Sequence, residues 1–173
     1  HCKDLSGPSL SSVSHLDIGP GLGSHAIYSL RGFESRFYAL EGIPYSYAIQ
    51  RHFFRFLSPY PGAYLDLVEC ENLNVDSETM SFELNENPNY RIKHVPSWMF
   101  PLIREKSIDL ITATWVLNEV NYAGILWLIS QASKALRQGG YFYIRDSFKL
   151  KPGRHTINYD ELLTKMGFVE AAR

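Results

Sequence analysis

The order of residues predicts an α/β fold in three layers: a doubly wound, mostly parallel sheet with helices on both faces. Three observations predict it. Short apolar runs alternate with segments of helical spacing along the chain, the order expected of a parallel sheet wound by crossover helices. One of those runs, "IDLITA" from Ile108 to Ala113, reads as a strand buried within such a sheet. A cluster of three glycines follows the first run, and sheets of this kind bind ligands outside the carboxyl ends of their strands, near the point where strand order reverses.

Taken in order, Val13 to Ile18 is the first strand, and Ser24 to Arg31 is a helix capped by Ser24 and stopped by Gly32. A second strand runs from Arg36 to Leu40 and ends at Glu41; Pro44 then suits the first turn of a helix reaching about Leu57. Residues 58–90, rich in Pro, Asn and acidic side chains, are expected to form a partly ordered insertion with apolar pieces at Tyr64 to Val68 and Met80 to Leu84. Arg91 to Val95 is the third strand and Ile108 to Ala113 the fourth. Ile125, Leu128, Ile129, Ala132, Ala135 and Leu136 recur at helical spacing, and Gly139 and Gly140 are expected to close that helix. Tyr141 to Ile144 is the fifth strand. Asn158 then caps a helix with Glu161 three residues on, Gly167 stops it, and a last strand is expected from Phe168.

With 173 residues and 45% apolar side chains, one soluble domain is expected. A formal charge of −1, with both signs interspersed, argues against nucleic acid as a partner. No apolar run approaches the roughly 20 residues that span a bilayer, so a cytoplasmic location without membrane attachment is expected. Cys2 and Cys70 lack metal-ligand spacing and read as free thiols. The chain opens on His1, about a dozen residues before its first strand. It is therefore expected to be truncated at both ends, with further domains of a longer polypeptide among its partners.

In "GPGLG", Gly19, Gly21 and Gly23 let the backbone turn tightly and approach a ligand, and the next helix presents free N–H groups. Such a loop is often only a turn. Glu41, 18 residues after Gly23 at the end of the next strand, argues for more, because a carboxylate there can accept hydrogen bonds from ribose hydroxyls. Ser24 stands where a dinucleotide fingerprint wants its last glycine, and no Lys-Ser or Lys-Thr follows as in a P-loop. What remains is acid-x-G-x-G-x-G, with Asp17 as the acid.

At these residues the chain resembles the class I S-adenosylmethionine-dependent methyltransferases, whose sheet is Rossmann-like. "LDIGPGLG" is similar to their first motif, "YALEG" to their second, "IDLITATWVLNEV" to their fourth, and "ASKALRQGGYFYIRD" to the helix and strand that follow. The resemblance runs from about Val13 to Phe168. It implies S-adenosylmethionine as cofactor, with its methionine part along Asp17, Gly19, Pro20, Gly21 and Gly23 and its ribose on Glu41 and Gly42. The adenine falls to "HVPSW", with Pro96, Ser97 and Trp98 as candidates, while Thr114 and Trp115 lie beneath the methyl group. "LNEV" and "LEGIPYSYAIQRHFF" are loosely similar to bacterial sugar O-methyltransferase-like proteins.

Methyl transfer to a small-molecule acceptor, a hydroxyl such as a sugar's, then follows as the expected activity. The chemistry is in-line positioning plus proton removal. Asn118 is a neighbour of the acceptor, Glu119 a candidate to orient or deprotonate it, and His155 a candidate because its loop follows the fifth strand. His94, at the end of the third strand, is a candidate to face adenine, whereas His15, His25 and His52 read as structural or surface residues. No metal spacing is present. Two alternatives stand beside this reading: a non-catalytic module that binds the methyl donor or a partner, and a nicotinamide-dependent oxidoreductase.

Overall fold

The computed structural model describes residues 12–32, 35–69, 77–146 and 158–171. Their strands are β1 (Ser14–Ile18), β2 (Arg36–Glu41), β3 (Tyr64–Asp66), β4 (Ile92–Pro96), β5 (Ile108–Thr114) and β6 (Leu136–Arg145). Between them run α1 (Ser24–Gly32), α2 (Pro44–Leu57), α3 (Ser77–Asn85) and α4 (Tyr122–Ala135), and α5 (Tyr159–Lys165) follows. The six strands form one sheet in the order β3-β4-β2-β1-β5-β6, and every pairing is parallel.

Alternation along the strands explains the layers. Leu16 and Ile18 of β1 and Tyr38 and Leu40 of β2 point into the larger core, which also takes Leu84 of α3, Ile125, Leu128 and Ile129 of α4, and Tyr159 of α5. The odd-numbered Phe37 and Ala39 face a smaller core with Ala26 of α1 and Phe54 of α2. Helices therefore cover both faces, as the βα order requires. Strand order reverses between β1 and β5, so the crevice opens above Ile18, Glu41 and Thr114.

Several boundaries differ from the sequence reading. Within residues 58–90, both apolar pieces become regular elements: Tyr64, Leu65 and Asp66 pair with Ile92, Lys93 and His94 to extend the sheet, and α3 follows. The helix expected to close at Gly139 and Gly140 ends at Ala135 instead, and β6 begins at once with Leu136. The glycines serve an irregularity in that strand: β5 residues Ile108 and Leu110 pair with Leu136 and Tyr141, so three extra residues of β6 are accommodated. A Cβ on Gly140 would lie 2.9 Å from the Asp109 carbonyl oxygen, which is why the position takes no side chain. Asn158 caps α5 by accepting the Glu161 N–H at 3.2 Å, but the Glu161 carboxylate pairs with Lys165 rather than closing a capping box. No strand begins at Phe168. Its N–H bonds back to Leu163, its ring packs 5.5 Å from Phe142, and this closure turns the chain into the core. Cys2, Cys70 and His155 lie outside the described residues.

Candidate functional site

The crevice floor starts with the glycine loop. Gly19 N–H donates to the Leu40 carbonyl at 2.9 Å, and Gly23 N–H to that of buried Pro20 at 2.7 Å, closing a tight turn. All three glycines have positive φ, at 62°, 56° and 80°. They differ in what surrounds them. A Cβ on Gly19 would strike Val116 at 2.6 Å and one on Gly23 would strike Phe54 at 2.6 Å, whereas one on Gly21 would meet nothing within 4 Å. Two glycines thus pack the loop between the β5 turn and α2, and the third presents bare backbone to open space.

Beneath the loop, Asp17 is 1% exposed. It accepts the Thr112 hydroxyl at 2.6 Å and the His25 Nδ1–H at 3.0 Å. Because Thr112 donates to Asp17, its oxygen accepts from His15 Nε2–H at 2.8 Å, and His15 Nδ1 accepts the Ser29 hydroxyl. Burial pulls the His15 pKa down to about 4, while the bond to Asp17 raises that of His25. This chain of polar groups ties β1, β5 and α1 together, and Asp17 is its hub.

Glu41 ends β2 and is 6% exposed. Its Oε1 accepts the Gly42 and Ile43 N–H groups, each at 2.8 Å, and its Oε2 accepts the Gln50 amide at 2.7 Å. Across the strand end, Glu41 pairs with Pro96 in β4. Ser97 Oγ lies 3.1 Å from where a Gly42 Cβ would stand, and Trp98 is exposed beside it. The structure therefore gathers Gly21, Glu41, Gly42, Pro96 and Ser97 at one end of the sheet.

His94 does not join them. It is fully buried, stacked on Tyr47 at 3.5 Å between ring centres, and hydrogen-bonded to Gln50 at 2.9 Å. Burial lowers its pKa to about 3, so it is neutral. A site facing adenine is ruled out because the alternation of β4 turns its ring toward α2.

On the β5 side, Thr114 Oγ1 is buried and, among the described residues, is the side-chain polar atom left without a hydrogen-bond partner. Trp115 follows in the left-handed region, at φ 59°, a conformation that a bulky residue seldom adopts. Its N–H bonds to the Arg145 carbonyl at 2.8 Å, its ring is half exposed, and the Arg145 guanidinium lies 6.0 Å over it. The next turn is held by Asp146, which accepts the Asn118 backbone N–H at 2.9 Å and its side-chain amide at 2.6 Å. Glu119 is exposed in a 3₁₀ turn. Sequence reasoning missed Asp146, Thr112 and Gln50. The last two carried a signal: Thr112 interrupts an apolar run, and Gln50 occupies a core-facing helical position between Tyr47 and Phe54.

Among the described residues no group of three or more His, Cys, Asp or Glu is placed to hold a metal ion, and no helix is long and apolar enough to cross a membrane. No family model and no curated protein sequence matches the chain. Solved structures do. Phosphoethanolamine N-methyltransferase 2 of Haemonchus contortus, solved with S-adenosyl-L-methionine, aligns with a TM-score of 0.62 and 15% identity over 95% of this chain and 35% of its own. The [4+2]-cyclase SpnF aligns at 0.60 and 16%, over 91% and 51%. A geranyl diphosphate methyltransferase, solved with its substrate and sinefungin, aligns at 0.52 and 12%, over 80% and 40%. The chain spans about a third to a half of the length of these proteins. Its six parallel strands, their flanking helices and the crevice where their order reverses make this the fold of the class I S-adenosylmethionine-dependent methyltransferases.

Proposed function

We propose that the chain is a methyltransferase domain that binds S-adenosylmethionine in the crevice and alkylates a small-molecule acceptor. The observation that carries this is the contrast within the glycine loop: Gly19 and Gly23 are packed against side chains, while Gly21 opens on empty space. The unpartnered Thr114 hydroxyl and the buried carboxylate of Glu41 fit the same group. When bound, the cofactor supplies a methyl group on an already activated sulfonium. The work left to this chain is binding and alignment. Glu41 accepts a ribose hydroxyl, Gly42, Pro96 and Ser97 flank the adenine, and Asp17 holds the loop in shape from below.

Trp115, with Arg145 over its ring, would line the acceptor side, and the exposed carboxylate of Glu119 would take the proton of an acceptor hydroxyl. O-methylation, as of a sugar, is the form of transfer this favours. A second reading, a module of this fold that binds the cofactor without transfer, draws on Glu119 as well: the side chain is exposed, and a general base is usually held by neighbours.

Calorimetry tests both. The chain should bind S-adenosylhomocysteine and not a nicotinamide dinucleotide, and Gly21→Val should abolish that binding while the protein stays folded. Binding of the dinucleotide alone, or normal binding by Gly21→Val, refutes the assignment. Binding without consumption of S-adenosylmethionine in the presence of cell extract selects the second reading.

A further inference from the structure

Gln50 is fully buried in α2, yet it is polar and uses both ends of its amide. Its Nε2 lies 2.7 Å from the Gly21 carbonyl oxygen and 2.7 Å from Glu41 Oε2. Both partners can only accept, so the NH2 group must face them, and Oε1 faces His94 Nε2 at 2.9 Å. His94 therefore carries its proton on Nε2, and its Nδ1 lies 3.0 Å from the Tyr64 hydroxyl, which also reaches Asp66 Oδ2 at 3.1 Å. The amide of Gln50 and the ring of His94 each have one orientation available. The amide cannot flip without setting two acceptors against its oxygen.

Building on the crevice as the cofactor site, we infer that Gln50 is a positioning residue for it, joining the one open glycine of the loop to the carboxylate that takes the ribose. Gly21 and Glu41 stand on different elements, and Gln50 spans them. It also leaves Glu41 a single free acceptor position: Oε1 holds two N–H groups and Oε2 holds Gln50. The row behind Gln50 fixes the amide from the far side, since Tyr47 stacks on His94 and donates its hydroxyl to Asp66 at 2.9 Å.

The test is the affinity for S-adenosylhomocysteine, measured by calorimetry from pH 5.5 to pH 8 on the wild-type chain and on Gln50→Glu, with folding checked by circular dichroism. An introduced carboxylate cannot donate to Glu41 or Gly21, whereas a protonated one can. The groups facing the position are Glu41 from β2 and neutral His94 from β4, with Tyr64 and Tyr47 one bond further away and Asp66 and Arg51 beyond them. The affinity of Gln50→Glu relative to wild type is expected to be about tenfold or more weaker at pH 8, the scale of a lost hydrogen bond to a charged group. It should recover as the pH falls and the two carboxyl groups share a proton. A side chain that merely fills space would give a constant ratio. Gln50→Met, which keeps the volume but cannot donate to Gly21 or Glu41, should be weaker by a factor that does not change with pH, where a side chain that merely fills space would leave the affinity as in wild type, and it decides the matter if Gln50→Glu does not fold. Unchanged affinity in the folded variants at every pH overturns the inference and leaves the cofactor reading standing. Absence of binding by the wild-type chain overturns the cofactor reading itself.

Discussion

Lys93 lies in the middle of β4 with no exposed surface, its Nζ 3.4 Å from the Tyr38 hydroxyl and 4.9 Å from the Tyr38 ring centre. Burial lowers its pKa from 10.5 to about 8, with Arg36 adding to the effect. The fold thus holds an ammonium at neutral pH that would rather be in water, at a cost of about 3 kcal/mol for a shift of that size. Lys93→Met keeps the length of the side chain and removes the charge. It forfeits a cation–π contact of about 0.5–2 kcal/mol. A net stabilisation of roughly 1–3 kcal/mol at pH 7 is expected, measured by guanidinium unfolding followed by circular dichroism. The sign with pH follows from linkage. Below about pH 8 the lysine is charged in both states and the full penalty applies; from there towards 10.5 the unfolded chain holds the extra proton, so raising the pH favours the folded state. Wild type should gain about 2 kcal/mol between pH 7 and 9.5, and Lys93→Met should lack this gain. The window stops short of 10 because Tyr38, raised to about 12 by burial, favours unfolding above that value. A variant less stable than wild type at pH 7, or one with an unchanged pH profile, would refute the reasoning.

Acid should weaken the fold through His15 and His94, which are buried neutral with pKa values lowered from 6.5 to about 4 and about 3. Below 6.5 the unfolded chain takes up protons that these rings refuse, so stability should fall by a few kcal/mol between pH 6.5 and 4, and a fluorescence-monitored unfolding series with no change across that range would contradict it. Thr114→Val removes the unpartnered buried hydroxyl. It should leave the ligand-free protein as stable or more stable by about 1 kcal/mol while weakening S-adenosylhomocysteine, and a thermal melt with and without ligand separates the two effects. Glu41→Ala should reduce affinity for the same ligand by about 1.5–3 kcal/mol, tenfold or more by calorimetry; equal affinity would place the ribose elsewhere.

The elements that position the crevice were legible because their chemistry is local. A strand and three glycines at alternate positions announce β1 and the start of α1, although Ser24 is the first residue of that helix rather than its cap, and Glu41 could be placed at a strand end by counting. What escaped was set by partners distant in sequence. Gly139 and Gly140 look like a helix stop, but their surroundings are decided by β5, which accepts the irregular strand against Asp109. Tyr64 to Asp66 is too short to read as a strand until β4 offers its edge. His94 is a candidate to face adenine from its place in the chain, and only the alternation of β4 shows that it turns away. Gln50, Thr112 and Asp146 act through partners 29, 95 and 28 residues away, separations that no local pattern reveals.

The bond between Asn118 and Asp146 turns one wall of the crevice into a closed ring. From Asn118 the chain enters α4, passes into β6 without a connecting loop and returns at Asp146, where the ring is sealed by two hydrogen bonds. The helical part of such a ring has no slack. An extra residue inside α4 would rotate everything beyond it by about 100° and pull Arg145 and Asp146 out of place. Changes in length are therefore tolerated only around Gly139 and Gly140, where β6 already carries residues that β5 does not match. Descendants of this sequence can retune that wall by exchanging side chains such as Trp115, Glu119 and Arg145, but not by growing it.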